Sequence, residues 1–299
     1  MNIFVDSKMD DNRRRQELYR GSIFVRFPSP AALRLCRLAQ ELIEEAFPDG
    51  DPLRVHENLT AESCAGTLAA LKPKFIHHPR AKQYIQELLI EAGCDLDSTY
   101  FDVPRLRTAY PGEYLKSGIA YAFHPHRDTW YSAPLSQINW WMPVYELNSE
   151  NCMALHPHYF DRAVRNGSSA YNYQKWNEES RFNAAKHVHT DTRVQPHAEE
   201  PLDLDPQIRF VCEVGGAFMF SAAQLHSTVP NTSNVIRYSI DFRTVHLDDL
   251  LNETGAPNLD SACTGSTIGD YLRGSDFSHL PEAVIARYRD RAGAVELVS

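Results

Sequence analysis

Apolar and polar positions follow a helical rhythm in the first hundred residues and an alternating one afterwards. Ser29-Pro30 offers an N-cap and a proline at the first helical position. Leu35, Leu38, Leu42 and Ile43 then recur at helical spacing, which predicts a helix ending near Pro48-Asp49-Gly50. Thr60-Ala61-Glu62 opens a second helix, expected to run to about Leu71, before Pro73. His78-Pro79 opens a third, through Tyr84, Leu88 and Leu89 to Gly93. None of the three carries a convincing site. Together they read as a layer that covers one face of a sheet.

From residue 100 the period shortens to two. Tyr100 to Tyr110 alternates, with Val103, Arg105 and Arg107 on one face. Gln137 to Tyr145 is rich in aromatic and β-branched residues. Arg209 to Val214 and Ala217 to Ser221 flank Gly215-Gly216. The clearest strand is Val235 to His246. There Ile236, Tyr238, Ile240 and Phe242 form an apolar face, and Arg237, Ser239, Asp241 and Arg243 a polar one. An apolar face against helices and a polar face lining a site suit an enzyme barrel.

Residues 161–205 break both rhythms. They hold Tyr171, Tyr173, Trp176, His187, His189 and His197 among small and acidic residues. Connections this long are uncommon in compact domains and are often lids or binding loops. A surface insertion without a role is the other reading. The tail after Val245 is polar until a short helix near Pro281 to Ala292.

Composition narrows the class only modestly. The 299 residues, 43% hydrophobic, suffice for a sizeable core. A net charge of −9 lacks the basic footprint of a nucleic-acid binder. The six cysteines form no Cys-x-x-Cys pair and read as small core residues. The N-terminus lacks the apolar core of a signal peptide, and no apolar run approaches a membrane span. A cytoplasmic protein that meets neither nucleic acid nor membrane is expected. Nothing in the sequence speaks to oligomeric state.

The chemistry lies in His126-Arg127-Asp128 and the distant His226. Two imidazoles and one carboxylate are the ligands of the facial triad that holds Fe(II) and leaves positions open. His126 and Asp128 are two apart, so on an extended segment both point the same way. The third ligand must come from a strand that folds alongside. Zn²⁺ would also bind such a set. His124 shares the face of His126 and competes for its role, but it lacks an acid two positions on.

His226 follows Gly215-Gly216-Ala217-Phe218 and precedes Pro230-Asn231, with Arg237 eleven positions on. With His126-x-Asp128, this pattern resembles the Fe(II)/2-oxoglutarate-dependent dioxygenases, in the style of the phytanoyl-CoA dioxygenase-like branch. The resemblance covers roughly residues 100–246. It implies a mainly β fold, a double-stranded β-helix (jelly roll, cupin-like) backed by the N-terminal α-helices. It also implies Fe(II), 2-oxoglutarate as cosubstrate, O2, a small-molecule substrate, and release of succinate and CO2. Hydroxylation is the default outcome. Desaturation, epimerisation and cyclisation use the same machinery. Asp128 argues against a halogenase, in which a small residue replaces that carboxylate.

In this reading residues 1–299 form one oxygenase domain: a helical layer to about 99, a β core over about 100–246 with a lid at 161–205, and a C-terminal extension over 247–299. Arg237 and Ser239 share a face and would grip the far carboxylate of 2-oxoglutarate, Arg through its planar fork. Gln137 and Asn139, on one face of their strand, either contact the cosubstrate or cap strand ends. Arg105, Arg107 and Arg127 suggest a small anionic substrate if they line the barrel. If they face outward they pair with acids of the helices. His158 stands in His156-Pro157-His158-Tyr159, where this branch usually has a Pro-Gly-Ser-His-like turn. It is a weak candidate for a substrate contact. The alternative from another class is a cupin-like metal-binding protein or zinc-dependent isomerase, which has no use for Arg237.

Overall fold

A computed structural model describes residues 1–120, 124–179, 187–189, 191–193 and 195–289. The chain opens with β1 (Ile3–Val5), α1 (Asp11–Tyr19) and β2 (Ile23–Arg26). Three helices follow, α2 (Pro30–Ala46), α3 (Ala61–Ile76) and α4 (Pro79–Glu91). Then come β3 (Thr99–Phe101), β4 (Arg105–Ala109), β5 (Ile138–Pro143), β6 (Met153–Leu155) and α5 (Tyr173–Glu179). The rest are β7 (Ile208–Phe210), β8 (Ala217–Ser221), β9 (His226–Thr228), β10 (Arg237–His246), α6 (Leu247–Leu251), β11 (Leu272–Arg273) and α7 (Glu282–Arg289). Among the described residues, no helix is long and apolar enough to cross a membrane.

Local chemistry explains where the helices begin. The side chains of Asp10, Ser29, Thr60 and His78 each accept a first-turn amide, satisfying a donor that the helix cannot. Helix α3 outruns its expected stop, because Pro73 lies inside it. The ring is exposed there, so the helix loses one backbone bond without a clash in the core.

Eight strands form one sheet in the order β1-β2-β8-β5-β10-β3-β11, with β4 also on β10. All pairs are antiparallel except β1 with β2. A second, antiparallel sheet runs β7-β6-β9. The expected strand over 100–110 is two strands. Asp102-Val103-Pro104 interrupts it, and Pro104 has no amide to give the ladder. The break puts Asp102 beside Arg243, whose backbone amide donates to its carboxylate at 2.6 Å.

One face of the large sheet is covered by α2, α3 and α4. Leu35, Leu38, Leu42 and Ile43 meet Trp140, Met142, Tyr238, Ile240 and Phe242 in one apolar cluster. Burying each such aliphatic side chain contributes about 1.5–3 kcal/mol, so this face dominates the packing. Leu35 is fully buried, and truncating it to Ala costs about 2–5 kcal/mol. The alternate residues of β5 and β10 point to the other face, where Gln137, Asn139, Arg237, Ser239, Asp241 and Arg243 gather. The segment 161–205 carries α5 and short turns where described. The expected C-terminal helix is α7, and its part beyond residue 289 lies outside the described residues.

Candidate metal centre and its two cavities

His126, Asp128 and His226 offer ligand atoms that all lie within 4.8 Å of one another, and all three residues are buried. Asp128 Oδ1 stands 3.4 Å from His126 Nε2 and 3.7 Å from His226 Nε2. The two imidazoles are held alike. His126 Nδ1 lies 2.8 Å from the carbonyl of His124, and His226 Nδ1 lies 2.9 Å from the carbonyl of Gln224. A carbonyl only accepts, so each Nδ1 carries the proton and each Nε2 keeps a lone pair toward the third ligand. His124 thus supplies its main chain, while its own exposed side chain is not among the clustered ligands.

The protonation states suit a metal. Burial pushes the Asp128 carboxyl up. The hydrogen bond from His126, the charges of His226 and His126, and a bond from Asn139 outweigh it and hold the group at about 2. Burial, then the neighbouring His126, lowers His226 to about 3. An ionised carboxylate beside a neutral imidazole is the state a divalent cation needs.

Asp128 is also fixed from behind. Gln137 Nε2 donates to Asp128 Oδ2 at 3.0 Å and to Asn139 Oδ1 at 2.8 Å, while Tyr271 donates its hydroxyl to Gln137 Oε1 at 2.7 Å. Arg243 Nε lies 3.6 Å from the same carboxylate oxygen. Gln137 is therefore engaged with the Asp128 carboxylate, a contact that residue type and strand position alone do not reveal.

Two cavities meet at His126 and Asp128. The smaller, about 70 Å³, is lined by His126, Asp128 and His226 together with Asn139, Phe220, Trp141, Met153, Thr228 and Arg237. Arg237 is 5% exposed, with its guanidinium carbon 5.5 Å from the centre of the Trp141 ring. Burial lowers its pKa to about 10, so it stays charged at neutral pH. Its Nε and Nη1 have no hydrogen-bond partner among the described residues, and neither does the Ser239 hydroxyl. A buried cation with idle donors costs several kcal/mol or so unless an anion satisfies it.

The larger cavity, about 320 Å³, shares His126, Asp128, Arg107, Thr108 and Arg243 with the smaller. Lys72, Arg105, Tyr131, Tyr171, Tyr173 and Trp176 also line it. Arg105 and Arg107 face this space, but each has a carboxylate. Arg105 pairs with Asp102, and Arg107 reaches Asp241 through Nε at 2.7 Å and Nη2 at 3.3 Å. These partners lie on the strand side of the site, not on the N-terminal helices.

Arg127 goes elsewhere. It is 1% exposed, bonds Asp260 at 3.0 Å, and donates to the carbonyls of Ala223, Tyr159 and Arg162. Its donors tie the ligand segment to the insertion and the tail, and it lines neither cavity. His158 is exposed and lines neither as well. The neighbouring His156 is buried, with Nε2 2.9 Å from the Ser227 hydroxyl.

No protein-family model matches the sequence, and no curated protein matches it. Several solved structures are similar to this chain. EvdO2 from Micromonospora carbonacea var. aurantiaca, complexed with 2-oxoglutarate, is 13% identical, with a TM-score of 0.38 over 58% of this chain and 62% of that one. The chain thus spans a little under two thirds of that matched structure. EvdO2 in a second structure gives 11% identity and a TM-score of 0.46 over 81% and 93% of the two chains. The carbocyclase SnoK from nogalamycin biosynthesis, α-ketoglutarate dependent, gives 15% identity and a TM-score of 0.40 over 84% and 94%.

Proposed function

We propose that this protein is a non-haem Fe(II)- and 2-oxoglutarate-dependent oxygenase acting on a small molecule. The observation that carries this reading is the smaller cavity. It is lined both by a buried His-Asp-His cluster and by a buried guanidinium with two idle donors. A dicarboxylate with one end at a metal and the other on Arg237 and Ser239 answers both features. His126, Asp128 and His226 would hold Fe(II), and Arg237 with Ser239 the distal carboxylate.

When bound, Fe(II) and 2-oxoglutarate supply dioxygen activation, with succinate and CO2 released and a substrate C–H bond oxidised. The chain's own part is positional and electrostatic. Gln137 and Tyr271 lock the Asp128 carboxylate, and the two backbone carbonyls lock the imidazoles. Trp141, Met153 and Phe220 wall the smaller cavity with apolar surface and limit water at the charged contact. The larger cavity, lined by His126 and Asp128 of the same cluster, suits the substrate. The described part of the 161–205 segment lends Tyr171, Tyr173 and Trp176 to its wall, in keeping with a lid.

We also read residues 100–246 as a double-stranded β-helix within one oxygenase domain. The bridge between His126 and His226, which joins the ligand segment to the smaller sheet, supports this reading. A cupin-like metal protein or a zinc isomerase would not need Arg237 buried with idle donors. Hydroxylation is the default reaction. The test is succinate formation from 2-oxoglutarate, with Fe(II) and a metabolite panel. Substrate-stimulated succinate supports the reading. Absence of 2-oxoglutarate binding by the folded, Fe(II)-loaded protein refutes it.

A further inference from the structure

The larger cavity has an uneven charge ledger. Five cations line it: Lys72, Arg105, Arg107, Arg193 and Arg243. Each guanidinium already meets a carboxylate. Arg105 has Asp102, Arg107 has Asp241, Arg193 has Asp191, and Arg243 has Asp102 and Asp241. Lys72 differs. Its ammonium donates to the Ile119 carbonyl, and no carboxylate among the described residues lies within ion-pair distance. Asp270, a further acid of the lining, accepts the Tyr173 hydroxyl.

Part of the remaining wall is aromatic. Tyr131 and Tyr171 have ring centroids 5.4 Å apart, and Tyr171 and Trp176 6.4 Å apart. The Trp176 indole N–H is buried with no partner among the described residues. Among the described residues the cavity therefore offers one cation with no carboxylate at ion-pair distance, one idle donor and several π surfaces. Flat ligand bodies lie well against such surfaces, and an oxyanion satisfies an unpaired ammonium.

Building on the oxygenase reading, we propose that the larger cavity takes a small molecule with a flat, aromatic body and an oxyanion, either a carboxylate or a phosphate monoester. The oxyanion sits on Lys72, and the ring lies against Tyr131, Tyr171 and Trp176. Lys72 is then a specificity-determining residue supplied by α3, outside the strands that carry the metal site. Burial holds its free ammonium down to about 7, so an arriving anion restores the charge that burial disfavours. The anionic substrate is thereby seated away from Arg105 and Arg107, each of which already has a carboxylate partner.

The test uses the full chain loaded with Zn(II) and saturating 2-oxoglutarate, titrated by calorimetry with benzoate, phenyl phosphate and benzamide. At least one of the two anions is expected to bind about tenfold or more tighter than the neutral amide. The better of the two names the oxyanion. Lys72→Met should erase this preference, Lys72→Arg should keep it, and Trp176→Phe should weaken binding by about threefold to tenfold. Equal binding of the amide, no heat with either anion, or a preference that persists in Lys72→Met overturns the proposal. So does loss of the preference in Arg237→Ala, which would move the anion to the smaller cavity. The visible absorption of the Fe(II) and 2-oxoglutarate complex reads the oxygenase assignment separately. Lys72-dependent benzoate binding without that absorption would support the anion seat while the oxygenase assignment fell.

Discussion

His126 and His226 face each other across an isolated antiparallel bridge, each backbone amide donating to the other's carbonyl, at 3.0 and 2.9 Å. Residues a hundred positions apart are thereby brought to a ring separation of 4.3 Å. The separation of the two imidazoles is set by main-chain bonds, so it does not depend on a metal to draw them together.

Replacing any of His126, Asp128 or His226 with Ala should therefore leave a folded protein that has lost tight Fe(II) binding, because each supplies one of the three clustered candidate ligands among the described residues. His124→Ala should bind metal normally, since only the carbonyl at 124 contacts the site ligand. Metal titration of the four variants decides this. A dead His124→Ala beside an active His126→Ala would reverse the ligand assignment.

Gln137→Leu tests the support behind Asp128. The variant keeps the bulk and removes the amide that links Asp128, Asn139 and Tyr271. Loss of such an orienting partner costs about 10–100-fold in metal affinity. Competition with a chelator of known strength measures it, and an unchanged constant would leave Gln137 without a role at the metal.

Arg237→Ala should raise the 2-oxoglutarate concentration needed for half-saturation by about one to two decades while metal affinity stays close to that of the parent, since a charge-assisted contact is worth about 1.5–3 kcal/mol. Ser239→Ala should cost about 1 kcal/mol. Arg237→Lys should restore only part of the loss, because an ammonium lacks the planar fork. An unaltered 2-oxoglutarate requirement in Arg237→Ala would shift the role to another cation of the site.

Lys72 also leaves a mark on stability. Burial lowers its folded pKa to about 7, below the ordinary lysine value of 10.5 that the unfolded chain keeps. Between those values the unfolded state binds the extra proton, so the parent gains stability as pH rises through the window. Lys72→Met removes that dependence. The variant should be more stable than the parent by its widest margin below about pH 7, and the margin should close toward pH 10.5. Denaturant titrations of both proteins across this range check the sign. A margin that widens with pH would contradict it.

The sequence made legible those features that depend on local chemistry. Ser29-Pro30, Thr60 and His78-Pro79 announce helix starts through caps that reach only two or three residues ahead. Alternation along β10 separates its apolar core face from the face carrying Arg237 and Ser239. The spacing of His126 and Asp128 likewise foretells a shared direction. What stayed hidden depends on partners far along the chain. Arg127 looked like a site cation, yet its carboxylate partner is Asp260, a residue of the C-terminal extension. Gln137 could not be assigned to Asp128 before the turn between them was known. Lys72 stands out only against the neighbouring guanidinium groups, each of which has an acid partner from a distant or looped part of the chain. Pro73 and Pro104 mark the limits of punctuation by proline: the first is absorbed into α3, and the second splits a strand that alternation alone joins.

The most direct test of the central claim is the visible absorption of the protein mixed with Fe(II) and 2-oxoglutarate under strict exclusion of oxygen. A weak band should develop with both additions and with neither alone. It should be absent in His226→Ala, and in Arg237→Ala it should require about ten- to a hundredfold more 2-oxoglutarate. A folded, Fe(II)-loaded protein that shows no band at saturating 2-oxoglutarate, or a band indifferent to the loss of His226, would contradict the account.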